Sequence, residues 1–194
     1  NKKELNIENF QVLKDIILYH KPDWIINTAA FTDVERAENE KDAAFSINAY
    51  AVEEIAKILN SYGGRLLQIS TDFVFKGDKC TPYSINDLCS PINEYGRSKL
   101  EGETLSLKYA ENIVLRTSWL YSGYGNNFLI KILNLHKNLS KDNKRLNVVQ
   151  DQIGSPTNTN ELAKICWRII DKSNDLDNKY QIFHWSNSGI ISRY

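Results

Sequence analysis

Tyr95 and Lys99 stand four residues apart in Tyr95-Gly96-Arg97-Ser98-Lys99, a spacing that puts a phenol and an ammonium on one face of a helix. A free phenol has a pKa of about 10 and exchanges protons poorly near neutrality, whereas a cation held beside it stabilises the phenolate and draws that value toward the working pH. Bare Tyr-x-x-x-Lys also occurs on amphipathic surface helices; Thr71 separates the two readings. It closes Leu66-Leu67-Gln68-Ile69-Ser70-Thr71, where an apolar run that reads as a buried strand gives way to hydroxyls. Ligands of open parallel sheets bind beyond that end of the strands. Thr71, Tyr95 and Lys99 are therefore the expected catalytic residues, with Tyr95 the proton donor.

The elements that must position these groups follow from periodicity and punctuation. Leu5, Ile7, Phe10, Leu13, Ile16 and Ile17 have helical spacing ahead of Pro22, and Asp23-Trp24-Ile25-Ile26-Asn27 has the length of a buried strand. Asn27-Thr28-Ala29-Ala30 then offers small side chains that suit either a flat dinucleotide or tight strand-to-helix packing. One helix is expected over 34–61, stopped by Gly63-Gly64, followed by a strand over 66–69, a loop over 76–93, a helix over 95–109 and a strand over 112–116. This α-β-α-β-α-β order predicts an α/β Rossmann-type parallel sheet with crossover helices. Past Trp119 the texture changes. A helix is expected over 128–139, a strand running into a turn over 148–157, a helix over 160–171 capped near Thr159, an exposed loop over 171–179 and a strand over 180–185. The division expected is a cofactor-binding domain over 1–117, and over 118–194 smaller substrate-domain segments mixed with strands returning to the main sheet.

Composition narrows the partners. Of 194 residues, 42% are hydrophobic, enough for a real core, and 24 Lys plus Arg balance 24 Asp plus Glu. No global field recruits nucleic acid or an acidic membrane, so a small molecule is expected. Cys80, Cys89 and Cys166 are odd in number and lack a Cys-x-x-Cys pair, which argues against a disulfide scaffold or zinc site and fits a reducing cytoplasm. No apolar run approaches the ~20 residues that span a bilayer. With no methionine, and with its opening in the middle of a βα pattern, the chain reads as an internal piece of a longer protein.

Together Asn27-Thr28-Ala29-Ala30, Ser70-Thr71-Asp72, Tyr95-Gly96-Arg97-Ser98-Lys99 with Glu101-Gly102-Glu103, and Leu115-Arg116-Thr117-Ser118-Trp119 resemble the extended short-chain dehydrogenases. Asp72-Phe73-Val74-Phe75, Arg116 to Tyr121 and Asp151-Gln152-Ile153-Gly154-Ser155-Pro156-Thr157 resemble, within them, the dTDP-4-dehydrorhamnose reductases. The resemblance implies that the N-terminal βα unit with its Gly-rich pyrophosphate loop, and a C-terminal part, lie outside this chain. It implies NADPH or NADH delivering hydride to the C4 ketone of a dTDP-linked 6-deoxy-4-ketohexose while Tyr95 protonates the alkoxide, giving dTDP-L-rhamnose. Asn27, Ala29, Ala30, Ser70, Tyr95 and Lys99 would serve the cofactor, with Lys99 also lowering the phenol's pKa. Thr71, Asp72, Phe73, Trp119, Gln152 and Pro156 would serve the substrate, Trp119 as a flat wall that a core aromatic would equally resemble. Mg2+ held by residues outside this chain, and a homodimer, complete what the resemblance suggests.

Other chemistries on the same scaffold remain open. A dehydratase would place Glu after Asp72, where this chain has Phe73; an epimerase shares Tyr and Lys; and a non-catalytic regulatory subunit would not need Thr71, Tyr95 and Lys99. Asn48, polar on an apolar helix face, is expected to satisfy a buried backbone group. His20, His136 and His184 have no ligand spacing, so no metal is expected on protein residues. Asp33, Glu35, Glu38 and Glu40 read as helix N-terminal charge and a solvated face.

Overall fold

The computed structural model describes residues 5–109, 111–125, 127–141, 145–175 and 181–193. The chain divides into two units, Asn1–Arg116 with Lys172–His184, and Thr117–Asp171 with Trp185–Tyr194.

In the first unit, helix α1 (Phe10–His20) leads to strand β1 (Trp24–Asn27), and the expected helix over 34–61 is four pieces: α2 (Val34–Asn39), α3 (Lys41–Phe45), a π-helical turn (Ser46–Tyr50) and α4 (Ala51–Asn60). Strand β2 (Arg65–Thr71) runs into a 3₁₀ turn (Asp72–Val74), followed by α5 (Glu94–Ser106), β3 (Ile113–Thr117) and, after the second unit, β7 (Ile182–His184). The sheet order is β1-β2-β3-β7, with the β1/β2 and β3/β7 pairs parallel. This is the parallel sheet with crossover helices read from the sequence.

The breaks in the 34–61 segment coincide with bonds to residues distant in the chain. Glu40 leaves helical geometry (φ −118°, ψ 51°), while Glu38 accepts a hydrogen bond from the Glu94 backbone N–H at the start of α5. The π-helical turn carries Asn48, whose carboxamide accepts from Phe31 N (2.8 Å) and donates to Phe31 O (3.1 Å) and Ser98 Oγ (2.9 Å). Asn48 thus satisfies a buried backbone segment, as its position suggested, and also fastens that segment to α5. Leu5 and Ile7 precede α1 and pack on the core, and Asn9 caps the helix by accepting from Val12 N (3.2 Å). The core on β2 gathers Leu13, Ile17, Val52, Ile55, Ile58 and Leu59, the apolar stripes of α1 and α4, against Leu66 of the strand. Gly63, at φ 84°, turns the chain from α4 into β2 in a conformation that a side chain would strain.

Two glycines bring α5 close. A Cβ on Gly96 would overlap the Phe73 carbonyl, and one on Gly102 would overlap the Asn48 carbonyl. Gly102→Ala should therefore push α5 off the π-helical turn and lower stability by roughly 1–3 kcal/mol, read as a shifted midpoint in urea unfolding.

The second unit holds β4 (Leu120–Tyr121), α6 (Phe128–Lys141), β5 (Ile153–Gly154), β6 (Thr157–Asn158), α7 (Thr159–Lys172) and β8 (Ile191–Ser192), with a 3₁₀ turn (Ser173–Asp175) in the first unit following α7. β4 pairs with β6 in parallel and β5 with β8 antiparallel. The strand expected over 148–157 is thus two short strands on either side of Pro156, which cannot donate to a ladder. The cap of α7, expected near Thr159, is the preceding Asn158, accepting from Asn160 N (2.9 Å) and Glu161 N (3.4 Å). Of the loop expected over 171–179, residues 171 and 172 close α7 and 173–175 form the 3₁₀ turn; residues 176–179, like Tyr180 of the expected last strand, lie outside the described residues. Among the described residues no helix is long and apolar enough to cross a membrane.

Candidate active site

Each of the last three residues of β2 is tied to one stripe of α5. Tyr95, Lys99 and Glu103 recur every four residues along that helix and so share a face. Tyr95 shares a side-chain hydrogen bond with Thr71, the Lys99 ammonium donates to the Ile69 carbonyl (2.7 Å), and Ser70 Oγ donates to Glu103 Oε1. Asn93 starts the helix by accepting from Gly96 N (2.7 Å), and Asn112 joins its far end to β2 by donating to Ser106 O (3.0 Å) and accepting from Leu66 N (2.8 Å). The three expected catalytic residues therefore converge. What unites them is the docking of one helix face on one strand end.

The electrostatics differ from the expectation. Burial pushes the Tyr95 phenol up to about 12; its hydrogen bond with Thr71 pulls the other way, and the nearby Asp72 charge adds to the rise. Lys99 is fully buried, and desolvation lowers its pKa to about 8 against the pull of Glu103. The sequence suggested a phenol drawn down by the lysine; in this structure the ammonium is directed at Ile69 O and burial governs the phenol. Thr71 Oγ1 donates to Asp72 Oδ1 (3.1 Å) and accepts from Phe73 N (3.2 Å), and the Phe73 ring stands edge-on to Tyr95, centroids 5.6 Å apart. Asp72 and Phe73 are thus adjacent to the Thr71–Tyr95 pair.

The residues expected to serve a cofactor divide into two groups. Thr28 and Ala29 are exposed just past β1 and Ala30 is half-buried, so a flat group could approach the backbone there. Asn27 is buried and folds back, donating to Gln68 Oε1 (2.7 Å) and accepting from Ala29 N (3.1 Å), which fixes the strand-end loop. The buried Ser70 hydroxyl is engaged by Glu103. Among the described residues no group of three or more His, Cys, Asp and Glu is arranged to hold a metal ion.

A buried charge network was not anticipated from the sequence. Arg116 donates to both carboxylate oxygens of Glu103, Nε at 3.0 and 3.1 Å and Nη2 at 2.6 Å, and both side chains are buried. Arg116 also reaches Cys89 Sγ (Nη2, 3.2 Å) and His184 Nε2 (Nη1, 3.3 Å) and lies over the Phe75 ring. A guanidinium only donates, so His184 Nε2 accepts and its Nδ1 carries the hydrogen, 3.3 Å from the Tyr83 carbonyl. Burial, reinforced by Arg116, holds His184 below its ordinary pKa. The one sequence signal was Glu103 standing one turn beyond Lys99; nothing local ties it to Arg116, Cys89 or His184.

Within the second unit, Trp119 and Pro156 line an apolar cavity of about 390 Å³ with Phe128, Leu129, Ile191 and Arg193. Trp119 adopts φ 46°, a left-handed conformation costly for a bulky residue, and Gly154 gives its ring room because a Cβ there would come 2.7 Å from it. The Arg193 guanidinium lies 4.9 Å from the Trp119 and Phe128 ring centres. Gln152 is exposed and does not line the cavity; its backbone carbonyl accepts from Arg193 N (3.2 Å).

Known proteins resemble this chain over nearly all of its length. A dTDP-4-dehydrorhamnose reductase of Aggregatibacter actinomycetemcomitans is 39% identical over 193 residues, covering 98% of this chain and 64% of the relative. The structure of a dTDP-4-dehydrorhamnose reductase from Clostridium acetobutylicum superposes with a TM-score of 0.90 at 36% identity, over 100% of this chain and 66% of that one. That of the Bacillus anthracis reductase in complex with NADP gives 0.88 at 37% identity, over 99% and 66%. The chain therefore spans about two thirds of the length of these relatives. The family profile of the RmlD substrate binding domain matches residues 1–194, from the first helix through the strand β2, the Tyr95–Lys99 helix and the Trp119 cavity, and the chain belongs to that family.

Proposed function

We propose that the protein reduces the C4 ketone of dTDP-4-dehydro-6-deoxy-L-mannose to dTDP-L-rhamnose, with NADPH or NADH as reductant. The observation that carries this reading is the convergence of Tyr95, Lys99 and Thr71 on the end of β2, in a chain whose relatives are named dTDP-4-dehydrorhamnose reductase. NADP in the Bacillus anthracis relative supports the cofactor class, and the exposed small residues past β1 suit a flat group. The first unit is read as the cofactor domain, and Trp119 and Pro156 in the second as part of the substrate side, with Asp72 and Phe73 flanking the reacting group. Gln152 belongs to that reading through the family resemblance alone. Three unpaired thiols fit a reducing cytoplasm.

A bound nicotinamide would supply the hydride. The chain's own residues manage the charge that hydride leaves on oxygen. With its phenol at about 12, Tyr95 holds its proton at neutral pH, yet an alkoxide is a far stronger base than a phenolate, so transfer to the developing alkoxide is downhill. Thr71 would hydrogen-bond the same oxygen. Lys99 makes one hydrogen bond among the described residues, to Ile69 O, which leaves ammonium donors for ribose hydroxyls. Its charge would stabilise the phenolate once the proton has gone.

The test is NADPH consumption by the full-length protein, followed as loss of nicotinamide fluorescence, with enzymatically generated dTDP-4-keto-6-deoxy-L-hexose. Turnover is expected, and cofactor binding without turnover on that ketosugar would overturn the reading.

A further inference from the structure

Tyr95 and Lys99 have an obvious use in ketone reduction. Glu103, the third member of the same helical stripe, does not touch the reacting groups, yet it is 2% exposed and held on three sides. Ser70 holds it from β2, Arg116 from β3 by both oxygens, and its own helix places it one turn beyond Lys99.

We propose that Glu103 is a positioning residue for Lys99: anchored on Ser70 and Arg116, it sets the register of α5 on β2 and supplies the counter-charge that keeps Lys99 an ammonium. Ile69, Ser70 and Thr71 are consecutive, and the stripe 99, 103 and 95 takes one bond from each. A slip of α5 by one residue would break all three. Of the three, the Ser70–Glu103 link alone is further clamped from a second strand, by Arg116, so it is the anchor for the other two.

An ammonium with one carbonyl acceptor in a dry site loses its proton unless an opposite charge is close. Tyr95 and Glu103 stand one turn to either side of Lys99 on α5; Asp72 acts on the Tyr95 phenol, and Arg116, with His184 and Cys89 beside it, holds Glu103. Among them Glu103 is the one whose charge acts on Lys99, opposing desolvation, and Arg116 holds that carboxylate in place.

The experiment compares Glu103→Gln with the full-length wild-type protein, titrating Lys99 by NMR of protein carrying 13C-labelled lysine, with Lys99→Arg to assign its signal. The wild-type midpoint is expected near 8. In Glu103→Gln, which keeps the shape and loses the charge, it should move acid-ward by about one pH unit. The role rests on the reductase reading only for its kinetic consequence. There the basic limb of kcat/KM should move with the titration, so that activity at pH 8 falls about fivefold while activity near pH 6 is largely kept. A merely structural role would lower activity equally at all pH values. Because Glu103→Gln strands a buried guanidinium, the double variant Glu103→Leu with Arg116→Met removes both charges with packing retained, and Lys99 should shift there too. An unmoved Lys99 midpoint in the folded variants overturns the proposal. A moved midpoint in a protein without ketosugar turnover would instead sink the reductase reading and leave this one standing.

Discussion

Tyr95→Phe in the full-length protein should reduce ketosugar turnover by roughly 10²–10⁴-fold, the range expected when a positioned general acid is lost. The substitution removes one oxygen. The ring keeps its edge-on contact with Phe73, and the docking of α5 keeps the Lys99–Ile69 and Glu103–Ser70 bonds, so circular dichroism and the unfolding midpoint should change little. Removing the phenol also frees Thr71 from its partner while leaving its bond to Asp72. NADPH affinity, measured by fluorescence quenching, should fall far less than turnover, because the loss lies in proton transfer and not in binding. Turnover within tenfold of wild type would remove Tyr95 from the role of proton donor.

Lys99→Met should abolish most activity and at the same time stabilise the fold. The lysine's ordinary value of 10.5 falls to about 8 in the folded chain, so the unfolded chain binds the proton more tightly than the folded one. The difference of about 2.5 units corresponds to roughly 3 kcal/mol of stability that wild type lacks at neutral pH. The sign follows from linkage. Between about 8 and 10.5 the unfolded state carries the extra proton, so the contribution of Lys99 to stability rises with pH across that window. Below it the penalty is constant and above it the penalty is gone. The advantage of Lys99→Met, measured by urea unfolding, should therefore be largest at pH 7 and shrink as pH is raised through the window. The lost bond to Ile69 O offsets part of it, by about 1 kcal/mol. An equal advantage at pH 7 and pH 10 would show that the buried lysine is not the cause. A lysine retained against such a penalty is what a site built for chemistry, not for stability, would show.

The parallel sheet, its crossover helices and the convergence of Thr71, Tyr95 and Lys99 were legible because their causes are local. Alternation of apolar runs with turn residues marked β1, β2 and β3, and a four-residue spacing is enough to put two side chains on one helix face. The same logic failed where the local pattern was ambiguous. The apolar spacing over 34–61 is helical throughout, yet Glu40 breaks it and Asn48 sits in a wider turn, because Glu38 and Asn48 make bonds to α5 and to Phe31 from far along the chain. Strands of two residues, such as β4 and β8, are too short to leave a periodic signature.

By itself, then, the sequence determined which residues could act as acid, cation and hydroxyl, and which elements would present them. The tertiary structure decided their charge states and their anchors. Whether Lys99 lowers the phenol or points at Ile69 O, and whether Arg116 meets Glu103, Cys89 and His184, depends on groups between 13 and 68 residues apart. Desolvation and ion pairing are set by what packs around a group in space, and that is decided only when separate segments close over it.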